Sequence, residues 1–407
     1  GGWGCWGRAA ARRSPGIVWP AIPTGFTATV LALQQLFNEI QWWDPERLLA
    51  HQLVQAQLLI RHAARTVPFY RERLGPFRNL APEKLTLERF RRIPLLTRGD
   101  IQTAGKDMAS RDLPPGHGPA QESRTSGSSG RPITFQATTI TALMLAALTM
   151  RGHLWHNRDL GQKNVRIRVT AKTGDRSHWA PVPWSGSTLH LSGRLPMTEL
   201  LDHIIREDPA YFEAWPNQVL GLLQVSEQTG ARPESLREVR TFGENLDPWL
   251  REKCREIWGV PLVENYSSEE FGTIAHQCPE STNLHVMEEN VLVEVLDENN
   301  QPCQPGEIGH VVVTSLNNFA TPFIRAELGD MARLGGPCAC GRGLTVLERI
   351  LGRQRNLFVR PDGERVFPEF YQEMTALPSV RQFQLTQKTL ELIEVKLAVT
   401  RPLAAEE

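Results

Sequence analysis

The sequence has no excess of charge of either sign, because its 407 residues include 45 Lys and Arg and 45 Asp and Glu. Nucleic acids and anionic membrane surfaces attract proteins with a strong positive field. The balanced charge therefore argues against nucleic-acid binding and against binding to a membrane surface.

Long hydrophobic runs are also missing. The run ITALMLAALTM at residues 140–150 is shorter than the roughly 20 residues that span a bilayer, so we expect no transmembrane helix. Near the start, basic residues precede an apolar stretch, as in a signal peptide, but Pro20, Pro23 and Gly25 interrupt it. We predict a buried N-terminal segment rather than a secretion signal.

Cysteine is scarce, with six residues at positions 5, 254, 278, 303, 338 and 340. They are too few and too unevenly spaced for a disulfide framework in a chain of this length. We therefore predict a reducing compartment, the cytoplasm.

A Walker-type phosphate loop is absent, since no GK[ST] occurs. Residues 122–135 nevertheless read ESRTSGSSGRPITF, in which eight of fourteen residues are Ser, Thr or Gly. Such a loop can hold phosphate, because glycine lets backbone N–H groups approach closely and hydroxyls add donors. Composition alone favours a flexible linker, whereas a position between a strand region and a helix start favours a phosphate site. At this point both interpretations stay open.

Apolar and turn residues predict a mixed α/β protein with more than one sheet. Two helices are expected between residues 31 and 74, interrupted near Asp44 and Pro45, and a third is expected to begin at Thr138 or Thr139. Strands are predicted at 165–170, 237–242 and 260–264, and as a hairpin of a second sheet at 290–297 and 309–315. A helix from Pro248 to Gly259 separates two of these strands, which is typical of a parallel α/β unit.

Four stretches resemble the adenylate-forming acyl-CoA synthetase superfamily in the same order. TSGSSGRP at 125–132 resembles the phosphate-binding loop of that superfamily, [ST]SG[ST][ST]G[KR]P. TFGENLDPW at 241–249 with ENYSSEEFG at 264–272 resembles the adenine and magnesium segment, IRAELGD at 324–330 the ribose segment, and ILGRQRN at 350–356 the hinge. Over roughly residues 18 to 407 the chain is most similar to the phenylacetate–CoA ligase-like branch.

The resemblance implies a role for each matching residue. Phosphate contacts are expected from Ser126, Gly127, Ser128, Ser129, Gly130 and Arg131, with Arg325 as a further basic residue near phosphate. Gly243 and Glu244 would pass the adenine ring, Tyr266 would pack on it, and Asp330 and Arg353 would contact the ribose. Glu270 would hold Mg²⁺, with Glu269 as the rival ligand, because this chain departs from the commoner YG[LT][ST]E pattern. If the resemblance is set aside, the same residues are interpreted as turns, surface arginines or the acidic start of a helix.

Cysteine and histidine residues form a second constellation. Cys278, His285, Cys338 and Cys340 form a Cys₃His set that suits tetrahedral Zn²⁺. Both pairs flank the predicted hairpin, and similar residues occur in relatives, so we predict a structural zinc site. Free buried thiols are the alternative.

Aromatic and histidine side chains cluster in the middle of the chain, at His153, Trp155, His156, His178, Trp179 and Trp184. They either line an acyl pocket that suits an aryl or arylacetic acid, or pack in the core, and we favour the core.

The expected architecture is a large multi-sheet adenylate-forming domain at 18–352 and an incomplete small α+β domain at 353–407, with 1–17 outside the fold. The strands predicted at 383–387 and 392–399 would begin a β-α-β unit. No segment matches the one that carries the family's small-domain lysine. We therefore expect a truncated chain in which both half-reactions are weakened.

The resemblance implies ATP-dependent activation of a carboxylic acid to an acyl-adenylate, with Mg²⁺, followed by transfer to coenzyme A. The alternatives are a non-catalytic nucleotide-binding protein, an adenylating enzyme with a carrier-protein or amine acceptor, and a zinc-stabilised interaction module. A homodimer is expected by family analogy only.

Overall fold

The computed structural model describes residues 23–125, 132–169, 171–182, 184–363, 365–367, 377, 379–399 and 401–403. The helices are α1 (Gly25–Ile40), α2 (Pro45–Thr66), α3 (Tyr70–Arg73), α4 (Leu87–Arg91), α5 (Arg98–Ala104), α6 (Thr139–Trp155), α7 (Met197–Glu207), α8 (Pro216–Thr229) and α9 (Pro248–Trp258). The strands are β1 (Gln121–Arg124), β2 (Thr134–Ala137), β3 (Asn164–Arg168), β4 (Arg176–His178), β5 (Ser187–Ser192), β6 (Tyr211–Ala214), β7 (Glu238–Phe242), β8 (Leu262–Ser268), β9 (Gly272–Gln277), β10 (Leu284–Val286), β11 (Val291–Leu296), β12 (Ile308–Ser315), β13 (Ala326–Leu334), β14 (Val346–Arg353), β15 (Phe358–Val359), β16 (Arg365–Val366), β17 (Val380–Gln387) and β18 (Ile393–Val399).

Local signals set the helix boundaries. The Asp44 carboxylate accepts a hydrogen bond from the Arg47 N–H at the start of α2, where Pro45 takes the first position. Asp247 caps α9 in the same way, and Gly259 ends it in the left-handed conformation at φ 74°. Thr138 caps α6. These predicted boundaries are confirmed.

One twelve-stranded sheet runs through the described residues in the order β11-β12-β13-β14-β10-β9-β8-β7-β6-β3-β5-β4. Strands β5, β3, β6, β7 and β8 pair in parallel, and the other pairs within this sheet are antiparallel. The predicted strand–helix–strand unit is therefore confirmed as β7-α9-β8. We expected the β11–β12 hairpin to belong to a second sheet, and this is wrong. Strands β13 and β14 join the hairpin to the sheet that contains the parallel strands.

Alternation along the parallel strands separates an apolar face from a charged face. Val165, Phe212 and Val239 pack into the core that α7, α8 and α9 cover. The neighbouring Arg166, Glu213 and Arg240 belong to the opposite face, since successive side chains of a strand point to opposite sides. A second core is formed largely by α1 and α6. A third is formed by α2 with β11 to β13. These two cores complete the packing of the large sheet.

The described part of the C-terminal segment is a hairpin. β17 and β18 pair antiparallel and are joined by five residues, so the expected β-α-β start is wrong. The Gln387 side chain bonds both backbone groups of Val359 and ties this hairpin to β15. None of the described helices is long and apolar enough to cross a bilayer.

Candidate active site

A cavity of about 930 Å³ opens at the carboxyl ends of the parallel strands. One face of α6 lines it through Thr141, Leu145, Thr149 and Gly152, which follow helical spacing. Open α/β sheets bind ligands at the carboxyl ends of their strands, where loops converge. The cavity therefore lies where the fold predicts a ligand site.

The described ends of the Ser/Gly stretch line this cavity. Ser126 to Arg131 lie outside the described residues, but their flanking strands β1 and β2 pair antiparallel. The Thr125 N–H donates to the Ile133 carbonyl and the Ile133 N–H donates to the Thr125 hydroxyl, both at 2.9 Å, and both residues line the cavity. The segment thus joins two paired strands at the cavity wall, which argues against a linker between domains.

Tyr266, Asp330 and Arg353 meet although they are distant in sequence. The Tyr266 hydroxyl donates to Asp330 Oδ2 at 2.8 Å, and Arg353 Nε lies 2.9 Å from Oδ1. Asp330 faces Arg353 across the β13–β14 pair. Burial raises the pKa of Asp330, and the Arg353 charge works against that shift. The result is an oriented carboxylate in the cavity wall.

Tyr266 itself is not among the residues that line the cavity. Tyr266 is 8% exposed and belongs to the large core around α2. The expectation that this ring packs on adenine does not agree with that placement, whereas its hydroxyl orients Asp330.

Gly243 and Glu244 follow β7 at the cavity rim. Gly243 has a φ of 76°, and a Cβ there would lie 3.0 Å from Trp215 Nε1. The Glu244 carboxylate accepts a hydrogen bond of 3.3 Å from the Asn217 N–H in the first turn of α8. Glycine at 243 therefore lets the rim pass close to Trp215.

Glu269 and Glu270 occupy the turn between β8 and β9, and both line the cavity. The charge of Glu270 raises the pKa of Asp330, and that of Glu269 raises the pKa of Arg168, although burial lowers the latter more strongly. The two carboxylates therefore act on different groups of the cavity wall, Glu270 on Asp330 and Glu269 on Arg168.

Arg325 does not reach the cavity, which corrects its assignment to the phosphate. Its guanidinium pairs with Glu294 at 2.8 and 3.1 Å and donates to the carbonyls of Arg91 and Ile93. Arg325 is 4% exposed and has a φ of 51°. A guanidinium held in this way joins the residue before β13 to Glu294 on β11 and to the carbonyls at and just after the end of α4.

The central His and Trp residues divide between the two interpretations. His153, His156 and Trp179 line the cavity. Trp155 donates from its indole N–H to the Gln41 side chain in the core, whereas Trp184 and His178 are exposed.

A charged cluster on β3, β6 and β7 was missed by sequence reasoning. Glu213 Oε2 lies 2.7 Å from Arg166 Nη2 and 3.3 Å from Arg240 Nη2, and Glu213 Oε1 lies 3.3 Å from Arg168 Nη2. Burial opposes ionisation of Glu213, but the three guanidiniums hold its pKa at about 2. The available signal was the presence of arginine inside strands, in VRIRV and VRTF.

The Cys and His residues predicted to bind zinc also come together. The candidate ligand atoms of Cys278, His285, Cys338 and Cys340 all lie within 4.8 Å of one another. The Cys278 and Cys338 sulfurs are 3.8 Å apart, and Cys340 Sγ lies 3.2 Å from His285 Nε2. Zn–S bonds of about 2.3 Å at the tetrahedral angle place two sulfurs about 3.8 Å apart. The donor set fits a closed structural zinc site.

No family model matches the chain. It is 25% identical over 353 residues to phenylacetate-coenzyme A ligase from Pseudomonas putida, covering 83% of this chain and 77% of the relative. It is 24% identical over 350 residues to phenylacetate-coenzyme A ligase from Escherichia coli K12, covering 83% and 78%.

The fold is similar to that of solved ligases. A structure of 2-hydroxyisobutyryl-CoA ligase in the postadenylation state aligns with a TM-score of 0.71 and 19% identity, covering 85% of this chain and 77% of that one. A structure of anthranilate CoA ligase in complex with anthranoyl-AMP aligns with a TM-score of 0.54 and 16% identity, covering 70% and 58%. These matches establish the fold class predicted from the sequence.

Proposed function

We propose that this chain, which is similar to the phenylacetate–CoA ligases and has the fold of solved adenylate-forming CoA ligases, activates a carboxylic acid with ATP and transfers the acyl group to coenzyme A. The observation that carries the proposal is the Tyr266–Asp330–Arg353 cluster, which presents an oriented carboxylate in the cavity beside the ends of the Ser/Gly loop. A carboxylate with two oxygens suits the two hydroxyls of a ribose.

Nucleotide recognition would follow from the positions around that cluster. Asp330 and Arg353 would contact the ribose, and Gly243 and Glu244 would border the adenine. Ser126, Gly127, Ser128, Ser129, Gly130 and Arg131 would contact the phosphates, since their flanking strands end at the cavity. A loop of hydroxyls and backbone N–H groups stabilises charge that develops as pyrophosphate leaves.

Magnesium fits the carboxylates at the rim, because Mg²⁺ prefers oxygen ligands. We assign Glu270 as the ligand, since its charge acts on Asp330, and keep Glu269 as the rival because it acts on Arg168. Bound Mg²⁺ would neutralise phosphate charge. No residue is assigned to coenzyme A.

Zinc is proposed as a structural ion held by Cys278, His285, Cys338 and Cys340. Thiols that remain available for metal agree with a reducing compartment such as the cytoplasm. The proposed acid is of the aryl or arylacetic type, since Phe135, Trp179, Trp215, Phe242, Phe271 and Phe323 line the cavity. The homodimer remains a prediction by analogy.

The test is acid-dependent pyrophosphate release from ATP·Mg²⁺ across a panel of carboxylic acids, followed by detection of the CoA thioester by mass spectrometry. Asp330→Asn should lower the rate at least about tenfold, because a hydrogen bond to a charged group contributes about 1.5–3 kcal/mol. Asp202→Asn, at an exposed position of α7, is the matched control. ATP binding without acid-dependent release would favour a non-catalytic nucleotide-binding protein.

A further inference from the structure

The inner end of the cavity carries more positive than negative charge. Arg166, Glu213 and Arg240 are register partners on β3, β6 and β7, so they form one row across the sheet. Arg168 joins them from the outer end of β3. Three guanidiniums thus surround a single carboxylate, which leaves an excess of two positive charges in this row and beside it.

Neighbouring charges do not remove that excess. Arg158 is matched by Glu238 at 2.7 Å, and Arg251 is matched by Glu264 at 3.0 Å. Glu269, at the rim, acts on Arg168, and Glu238 acts on Arg240 more weakly than Glu213 does. Unmatched guanidiniums in a partly buried wall, where the side chains of Arg166 and Arg240 are 22% and 11% exposed, are unfavourable unless an anion accompanies them.

The same region is short of hydrogen-bond acceptors. Arg166 Nε, Arg240 Nε and His153 Nε2 are buried and have no partner among the described residues. His153 Nδ1 lies 3.4 Å from Arg158 Nη1, which can only donate, so Nε2 carries the hydrogen. Three donors without acceptors agree with a wall built for a ligand that supplies acceptors.

The row lies deeper than the nucleotide positions. Arg240 precedes Phe242 by two residues on β7, and Gly243 follows the strand end. Two residues of strand span roughly 7 Å. An acid whose reactive carboxyl lies at the strand ends would therefore need a body of about that length for its far end to reach the row.

We propose that the acid substrate carries a second anionic group, a carboxylate or sulfonate, at the end remote from the reacting carboxyl, and that Arg166, Arg168 and Arg240 bind it. This inference rests on the proposed function for the identity of the reacting end. Aromatic side chains such as Trp179 and Phe242 would pack along the body of the acid. The Arg240 guanidinium lies over the Trp179 ring, and the Arg168 guanidinium lies over the Phe242 ring.

The test is calorimetric binding to the whole chain in the presence of AMP, using matched acids. The pairs are 4-carboxyphenylacetate or 4-sulfophenylacetate against 4-methylphenylacetate, and adipate against hexanoate. The wild type should bind the doubly anionic member of each pair at least tenfold more tightly. Arg166→Gln should remove most of that preference, because it lowers the excess positive charge of the row from two to one while Glu213 still pairs with Arg168 and Arg240.

Control variants distinguish an effect on acid binding from effects on folding and on nucleotide binding. Arg168→Gln gives a second variant at a more exposed position, and Arg166→Lys should restore part of the preference. Arg176→Gln removes a surface arginine paired with Glu207 and should change nothing. ATP affinity should stay the same in Arg166→Gln, and its loss would instead place the cluster on the nucleotide and overturn the inference.

The outcomes distinguish this inference from the proposed function. Equal binding of both members of each pair, or tighter binding of the apolar member, overturns the inference even if pyrophosphate is released. Preferential binding of the doubly anionic acid that is lost in Arg166→Gln supports it, even if no acid supports pyrophosphate release and the ligase proposal fails.

Discussion

The Tyr266 hydroxyl donates a 2.8 Å hydrogen bond to Asp330 Oδ2 across 64 residues of sequence. Arg353 approaches the other oxygen of the same carboxylate, at 2.9 Å. Two side chains from different strands therefore fix the direction in which Asp330 can accept further hydrogen bonds.

Removing that hydroxyl should weaken nucleotide binding without removing the ring. In Tyr266→Phe, Asp330 loses a fixed donor inside a wall where it is 8% exposed. We expect ATP·Mg²⁺ affinity to fall about tenfold, since a hydrogen bond to a charged group contributes about 1.5–3 kcal/mol. Titration calorimetry measures this affinity. An unchanged affinity in a folded variant would show that the Tyr266 hydroxyl does not orient Asp330 for nucleotide binding.

Arg325 should matter for folding rather than for phosphate binding. Its loss leaves Glu294, whose side chain is 4% exposed, with a 3.7 Å contact to Arg91 as its remaining ion pair in the described part of the chain. Breaking a buried pair in this way typically destabilises by about 3–5 kcal/mol. Arg325→Met should therefore lower Tm strongly, and Glu294→Gln in the same chain should recover part of the loss. A stable Arg325→Met variant with impaired ATP binding would contradict this.

Glu288 should make stability depend on pH. Burial raises its pKa from 4.5 to about 7, and its carboxyl accepts hydrogen bonds from the Thr345 N–H and hydroxyl. Because the folded state binds this proton more tightly than the unfolded state, the contribution to stability is full below pH 4.5 and is lost as pH rises towards 7.

The isosteric Glu288→Gln variant isolates that effect. It should resemble the wild type near pH 5 and exceed it at pH 8 by up to about 3 kcal/mol, because it carries no buried charge. Denaturant unfolding at both pH values measures the difference. Glu256→Gln, at an exposed position of α9, is the control, and parallel pH curves for Glu288→Gln and the wild type would refute the prediction.

The Cys and His cluster should contain about one zinc ion per chain. Cys278→Ser should lose the zinc and lower Tm, because a structural ion that binds only the folded state contributes to folding. Cys303→Ser changes a buried thiol away from the cluster and should keep the zinc. Elemental analysis of both variants and the wild type measures the zinc content. A wild type without metal, and with the same Tm as Cys278→Ser, would show that the site is a set of free thiols.

Local signals in the sequence predicted the starts of α2, α6 and α9 and the end of α9, because caps and turn residues act within a few positions. Motif order likewise placed Asp330 and Arg353 together. The charged row could not be predicted, since Arg166, Glu213 and Arg240 meet only through the register of three strands. Arg325 was assigned wrongly for the same reason, because the direction of its side chain depends on Glu294, which lies on β11.

The most direct test of acid activation uses a carboxylic acid labelled with ¹⁸O in both carboxyl oxygens, with ATP·Mg²⁺ and coenzyme A. An acid oxygen that attacks the α-phosphorus stays on phosphorus when the thiol takes the acyl carbon. We expect AMP that carries one ¹⁸O, in an amount equal to the thioester formed. AMP without label, or ATP binding with no acid-dependent AMP, would contradict it.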